Sequence, residues 1–169
     1  MGKKAFSFLI IFFATFPITY SKTLNYGLGT GIAISTGDFS KYYGPLGPLC
    51  GAKILYNIYS RIDLVALVDL FYLPANDHDG RLIRFSPCLG TRYNLPSGNK
   101  PAFFGEAGIG IAYDNARYFF SESGTSLSLR IGVGFSYKKI EFTAGFQVAS
   151  QDDDPANAII FSVFYFFNK

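Results

Sequence analysis

The residues of this chain that could do chemistry fall in the stretches between its regular segments. The single histidine, His78, sits in Asn76-Asp77-His78-Asp79-Gly80. A serine nucleophile needs a base to take its proton, and histidine is the usual one. Ser121, Ser123 and Ser126 come later in the chain, so a dyad with His78 is conceivable, but no spacing motif joins them. A solvated loop histidine is the simpler account, because nucleophile and base are recognised by mutual geometry. Hard oxygen ligands occur twice, at Asn76, Asp77 and Asp79 and at Asp152-Asp153-Asp154 with Asn157. Such sets suit Ca²⁺, yet neither follows the ligand spacing of a calcium loop, and solvated anionic tips are the favoured account. No catalytic residue, cofactor site or metal site is assigned from these groups. One further cluster, Arg117-Tyr118-Phe119-Phe120, sets aromatics beside an arginine. That composition marks the centres of binding patches, so the cluster is kept as the candidate surface-binding loop, although local packing over the barrel mouth is the favoured account.

Most of the rest of the chain alternates. In the third segment Ile62, Leu64, Ala66, Val68, Leu70 and Tyr72 fall on one face, and Arg61, Asp63, Val65, Leu67, Asp69 and Phe71 on the other. A side-chain period of two is the mark of a strand. Eight such strands are expected, at about 24–35, 45–56, 60–73, 81–94, 101–114, 125–137, 139–149 and 157–167. The longer connections are expected after the odd-numbered strands and the shorter turns after the even ones. The fold class is therefore all-β, an eight-stranded antiparallel up-and-down transmembrane β-barrel with its apolar face to lipid. Tyr26, Tyr56, Tyr93, Phe103, Tyr137, Tyr165 and Phe167 crowd one end of that face, as an interfacial girdle should.

The opposite face carries glycines such as Gly27, Gly29 and Gly31 together with charges. Its GxG runs are not read as phosphate loops, since no helix follows them. Small residues suit a lumen that has room for little beyond its own side chains. The expected lumen charges are Lys53, Arg61, Asp63, Asp69, Arg84, Arg92, Glu106, Arg130 and Glu141, with Lys139 added at the margin. Hairpin geometry suggests the couplings Asp69–Arg84, Asp63–Arg92, Lys53–Asp63 and Glu106–Arg130, all of opposite sign. An ion-paired plug is favoured over a channel lining because interior volume grows with strand number.

The N-terminus has Lys3 and Lys4, an apolar run of roughly 12 residues and the frame Thr19-Tyr20-Ser21. This is a secretory signal, too short to span a bilayer. Residues 1–21 are assigned to a cleaved signal peptide and 22–169 to the barrel. Removing Lys3 and Lys4 from the 15 basic residues leaves 13 against 12 acidic ones, so nothing points to nucleic acid. Cys50 and Cys88 fall on opposite faces of non-adjacent strands and should be free thiols.

On this pattern the chain resembles the small outer-membrane β-barrel superfamily, the OmpA/OmpX-like barrels and the porin-like domains around them. The most specific element is the last strand, where Phe161, Val163, Tyr165 and Phe167 alternate up to a terminal aromatic. It resembles the C-terminal signal read by the barrel-assembly machinery, although Asn168-Lys169 follow the aromatic here. The resemblance implies a bacterial outer-membrane location with both termini periplasmic. The implied partners are outer-membrane lipid and lipopolysaccharide, the assembly machinery during biogenesis and an outer-membrane protein partner. Some barrels of this kind are lipid A deacylases or palmitoyltransferases. The deacylases carry a His-x-Ser-Asn run, whereas His78 is followed by Asp79-Gly80. A soluble ligand barrel of the lipocalin kind would turn the bulky face inward and carry a GxW signature, but the chain has no tryptophan. The expected role is thus structural or surface-binding, without enzymatic activity, alone or in a larger outer-membrane assembly. A lipid-modifying enzyme and a narrow solute channel are the alternatives.

Overall fold

A computed structural model describes residues 24–37, 39–75, 80–96, 101–117, 121–151 and 154–168. The expected signal segment 1–21, the residues Asn76, Asp77, His78 and Asp79, the run Tyr118-Phe119-Phe120, and Asp152 and Asp153 lie outside this set. The strands are β1 (Leu24–Thr36), β2 (Leu46–Tyr59), β3 (Ile62–Pro74), β4 (Arg81–Asn94), β5 (Ala102–Arg117), β6 (Ser121–Tyr137), β7 (Ile140–Gln151) and β8 (Asp154–Phe166). One turn of helix, α1 (Phe39–Tyr42), lies between β1 and β2. Each strand pairs antiparallel with its neighbour in sequence, and β1 pairs with β8, closing the barrel. Closure leaves no strand edge unpaired, which hydrocarbon requires.

The alternation separates the faces as expected. Leu28, Leu64, Leu89, Ile109, Ile131 and Val163 point outward, while Leu55, Leu67, Phe71 and Phe164 point into a buried lumen. Every girdle aromatic is exposed on the outer wall. At their end of the barrel Tyr26, Tyr165 and Phe167 pack ring to ring, with centroids 5.6–5.7 Å apart. Cys50 faces outward and Cys88 inward, and both are free thiols.

The strands run further than the alternation alone suggested. β5 and β6 stay paired out to Arg117 and Ser121, and β7 and β8 out to Gln151 and Asp154. Much of the expected 115–124 loop is therefore strand, and the expected contrast between long loops and short turns is weak. At the other end β2 continues to Tyr59 with a register shift between Asn57 and Tyr59, so the reversal falls at Ser60 and Arg61. The β6–β7 reversal takes only Lys138 and Lys139, with Lys138 at φ 52°, the left-handed conformation such tight hairpins use.

Glycine lets the seam close. A Cβ on Gly29 would lie 2.5 Å from the Phe164 ring, so Phe164 fills the lumen over the space that β1 leaves empty. Asn168 extends the same seam. Its side-chain amide accepts from the Tyr26 N–H at 3.0 Å and donates to the Leu24 carbonyl at 2.5 Å, copying the next rung of the ladder.

Candidate functional site

The lumen is where this sequence concentrates its polar chemistry. Four cationic side chains, Lys53, Arg84, Arg92 and Arg130, and five acidic ones, Asp63, Asp69, Glu106, Asp114 and Glu141, are buried there. Burying a charge is costly unless it is paired and hydrogen-bonded, so the partners decide whether this interior is a plug.

Nearest the short turns, Asp63 accepts from the Asn57 and Asn94 amides at 2.7 and 2.8 Å. Next comes a four-membered cluster. Lys53 of β2 donates to Glu106 of β5 and Glu141 of β7, both at 2.8 Å. Arg92 of β4 reaches the same two carboxylates at 3.0 and 2.7 Å. Aromatic faces flank these cations, with the Arg92 guanidinium 3.7 Å from the Phe104 ring centre and the Lys53 ammonium 5.1 Å from that of Phe164. Such contacts offset part of the desolvation cost. Arg130 of β6 crosses to Asp69 of β3. Gln147 donates to Ser86 and Ser128 at 2.5 and 2.7 Å. Towards the loop end Arg84 grips both oxygens of Asp114 at 2.6 Å, a bidentate pair, and also donates to the Ala156 carbonyl.

Above this layer the lumen turns apolar. Ala33, Leu49, Phe71, Leu73, Leu82 and Ile160 form a cluster against which Tyr43 packs. Tyr43 arrives there because the β1–β2 connection folds over the barrel mouth, bridging to Ala75, with the Gly44 N–H donating to the Pro74 carbonyl at 2.6 Å. The space beside Cys88, Glu106 and Arg130 is about 10 Å³, room for roughly one water.

Several expectations need correction. Asp69 pairs with Arg130 instead of Arg84, Arg92 with the two glutamates instead of Asp63, and Glu106 with Lys53 and Arg92 instead of Arg130. Lys53 does not meet Asp63, because the turn at Ser60 and Arg61 places Lys53 opposite Leu67. The hairpin argument considered only neighbours in the sheet, whereas long side chains in so narrow a barrel reach across it. Arg61 is exposed in the turn and not in the lumen. Lys139 is likewise exposed, donating to the Phe167 carbonyl at 3.2 Å. Asp114 was missed as a lumen charge; it sits opposite Arg84 on β5, and its inward parity in the alternation was the available signal.

The other candidates are less closely placed. Arg117 lies at the end of β5, opposite Arg81 and Ser121 in the ladders, and its side chain is outside the described set together with the whole of Tyr118, Phe119 and Phe120. Phe161, Val163, Tyr165 and Phe167 all point outward along the last strand, as the alternation requires.

Comparison with family models and with curated protein sequences finds no match. Comparison with solved structures does. The attachment invasion locus protein Ail of Yersinia pestis, crystallised with the heparin analogue sucrose octasulfate, superposes with a TM-score of 0.59 at 15% identity, covering 86% of this chain and 99% of Ail. Neisserial surface protein A gives 0.58 at 11% identity, covering 84% and 96%. The fold is that of the small outer-membrane β-barrels. The outer-membrane enzyme PagL also shares it, with a TM-score of 0.51 at 16% identity over 84% of this chain and 98% of PagL. Barrels of this shape therefore include an enzyme as well as surface proteins, and the fold by itself assigns no role.

Proposed function

We propose that this chain is an outer-membrane barrel whose lumen is a stabilising plug, and which acts through its outer wall and loop end. The role is structural in the envelope or surface-binding, alone or as a subunit of a larger outer-membrane assembly. The observation that carries this reading is the lumen itself, where five carboxylates meet four cations and two amides beneath an apolar cap. A solute path needs charges left free for the solute, whereas each described lumen charge here has a charged or amide partner. Single atoms such as Asp69 Oδ1, Glu106 Oε1 and Arg130 Nε are left without a hydrogen bond of their own.

The orientation proposed sets both termini and the short turns in the periplasm, with residues 1–21 removed on export. An even strand number supports it by placing both ends of the chain on one side. The outward alternation of Phe161, Val163, Tyr165 and Phe167 supports delivery by the assembly machinery. The proposed non-enzymatic role rests on the sequence around His78, which lacks the run that the deacylases carry. For a surface ligand, the heparin analogue bound to Ail is a poor guide to charge. The loop-end sequence here holds Asp77, Asp79 and the Asp152-Asp153-Asp154 run, which favour a basic partner over a sulfated one.

Single-channel recording of the refolded barrel tests the plug: silence is expected, and a steady porin-sized conductance overturns it. In-cell crosslinking of outer membranes separates the two remaining roles. A stoichiometric protein adduct makes the chain an assembly subunit, and recovery alone makes it a free-standing barrel.

A further inference from the structure

The outer wall is not uniform. Across β5 to β8 and onto β1 lies an open groove of about 720 Å³, lined almost wholly by apolar groups. Its relief comes from unequal side chains at outward positions. Ala144 of β7 is a small residue flanked across the ladders by Val133 of β6 and Phe161 of β8. Phe135 and Phe142 stack beside it with ring centres 4.9 Å apart, and Phe103 continues the aromatic side at 6.2 Å from Phe135. The volume lies within the range of small-molecule sites, and its open side faces the hydrocarbon.

One end of the groove is electrostatically distinct. Phe135 and Phe142 sit two positions inside the Tyr137–Ile140 pair that closes the β6–β7 hairpin. Lys138, in the reversal, is therefore about 10 Å beyond the rings at the rise of a strand. Lys138 is exposed, with its ammonium 5.5 Å from the Tyr137 ring centre, and Lys139 beside it is exposed as well. Every carboxylate whose side chain is described, namely Asp63, Asp69, Glu106, Asp114 and Glu141, is buried in the lumen. Among the described residues the hairpin tip thus presents positive charge with no surface carboxylate to offset it.

We infer that this wall binds one anionic glycerophospholipid, an acyl chain lying in the groove over Ala144 and the phosphate held at Lys138 and Lys139. The site rests on the membrane-barrel reading proposed above, but it does not depend on which leaflet the hairpin meets. Apolar relief in the hydrocarbon band and a cationic tip at the interface are what such a lipid matches, its chain and its phosphate being separated along the membrane normal in the same sense. A second copy of the chain would cover the groove but would leave the lysines facing lysines.

The test reconstitutes the mature chain in nanodiscs of phosphatidylcholine carrying trace phosphatidylglycerol or phosphatidylcholine with a photoactivatable acyl chain. Adducts are mapped by mass spectrometry. Phosphatidylglycerol adducts are expected to gather on peptides holding Phe135, Ala144 and Phe161, above those on the opposite wall around Leu64 and Leu89. Lys138→Asn, which tolerates the left-handed turn, should lower the phosphatidylglycerol yield roughly fivefold, and Lys139→Gln by a similar factor. Neither should change the phosphatidylcholine yield. Ala144→Leu, which fills the groove from the lipid side, should lower groove adducts with both probes. Equal labelling of both walls, or equal yields from the two headgroups, overturns the site. A covalent dimer formed by a photoreactive phenylalanine analogue placed at Phe161 overturns it in favour of a second copy. Loss of heat-modifiable gel mobility in the unaltered chain would instead defeat the membrane-barrel reading, and the site with it.

Discussion

Arg130 on β6 and Asp69 on β3 meet across the lumen, joining two strands that share no ladder. Both side chains are at least 96% buried, so neither has solvent to fall back on. Arg130→Ala should lower stability by about 3–5 kcal/mol, the cost of leaving a buried charge uncompensated. Urea unfolding followed by tryptic protection reads the loss, and bilayer recordings of the same variant should stay silent.

The two glutamates of the central cluster are not equivalent. Glu141 accepts three hydrogen bonds from Lys53 and Arg92, and Glu106 accepts two. Glu141→Gln should therefore cost about 1.5–3 kcal/mol, the range for bonds to charged groups, and more than Glu106→Gln. Equilibrium unfolding of the two variants side by side checks the order.

Packing at the seam gives a steric test. Gly29→Val pushes a side chain into the Phe164 ring and should cost about 1–3 kcal/mol as an overpacked core. Phe164→Leu in the same chain should restore part of it. Additive losses in the double variant would show that the ring is not what the glycine accommodates.

Asn168 holds the start of β1, so Asn168→Ala should weaken the seam by about 1 kcal/mol, the worth of an ordinary hydrogen bond. Hydrogen exchange at the Tyr26 amide should speed up while exchange in the β3–β4 ladder stays as it was.

The thiols report the two faces independently. A lipid-soluble maleimide should label Cys50 in the folded barrel and reach Cys88 only after denaturation. Early labelling of Cys88 would mean that the lumen is open to small molecules.

Strand identity and face were legible because they follow from a period of two, and a residue's parity does not change when a strand grows by a turn. Leu64 and Asp63 therefore read correctly, and so did Cys50 and Cys88. Strand ends were less legible, since Asn115, Ser121, Ser123 and Gly124 are turn-forming types yet are paired in the β5–β6 ladder. Arg61 illustrates the same difficulty, having inward parity but lying in the reversal. Lumen partners were beyond sequence reasoning. Whether Asp69 meets Arg84 or Arg130 depends on strand tilt and stagger around the whole barrel, which no single hairpin specifies.

The β1–β8 ladder has a consequence for the order of events in the cell. It joins Gly27 to Phe166 and Thr36 to Asn157, so the ring cannot exist until the final strand has emerged from the ribosome. Until then the chain has two raw edges and a lipid-seeking face with no lipid to cover it. Folding during synthesis is therefore closed to this architecture. The chain must reach the place of closure as an open polymer, and any break that removes β8 leaves a sticky sheet instead of a smaller barrel.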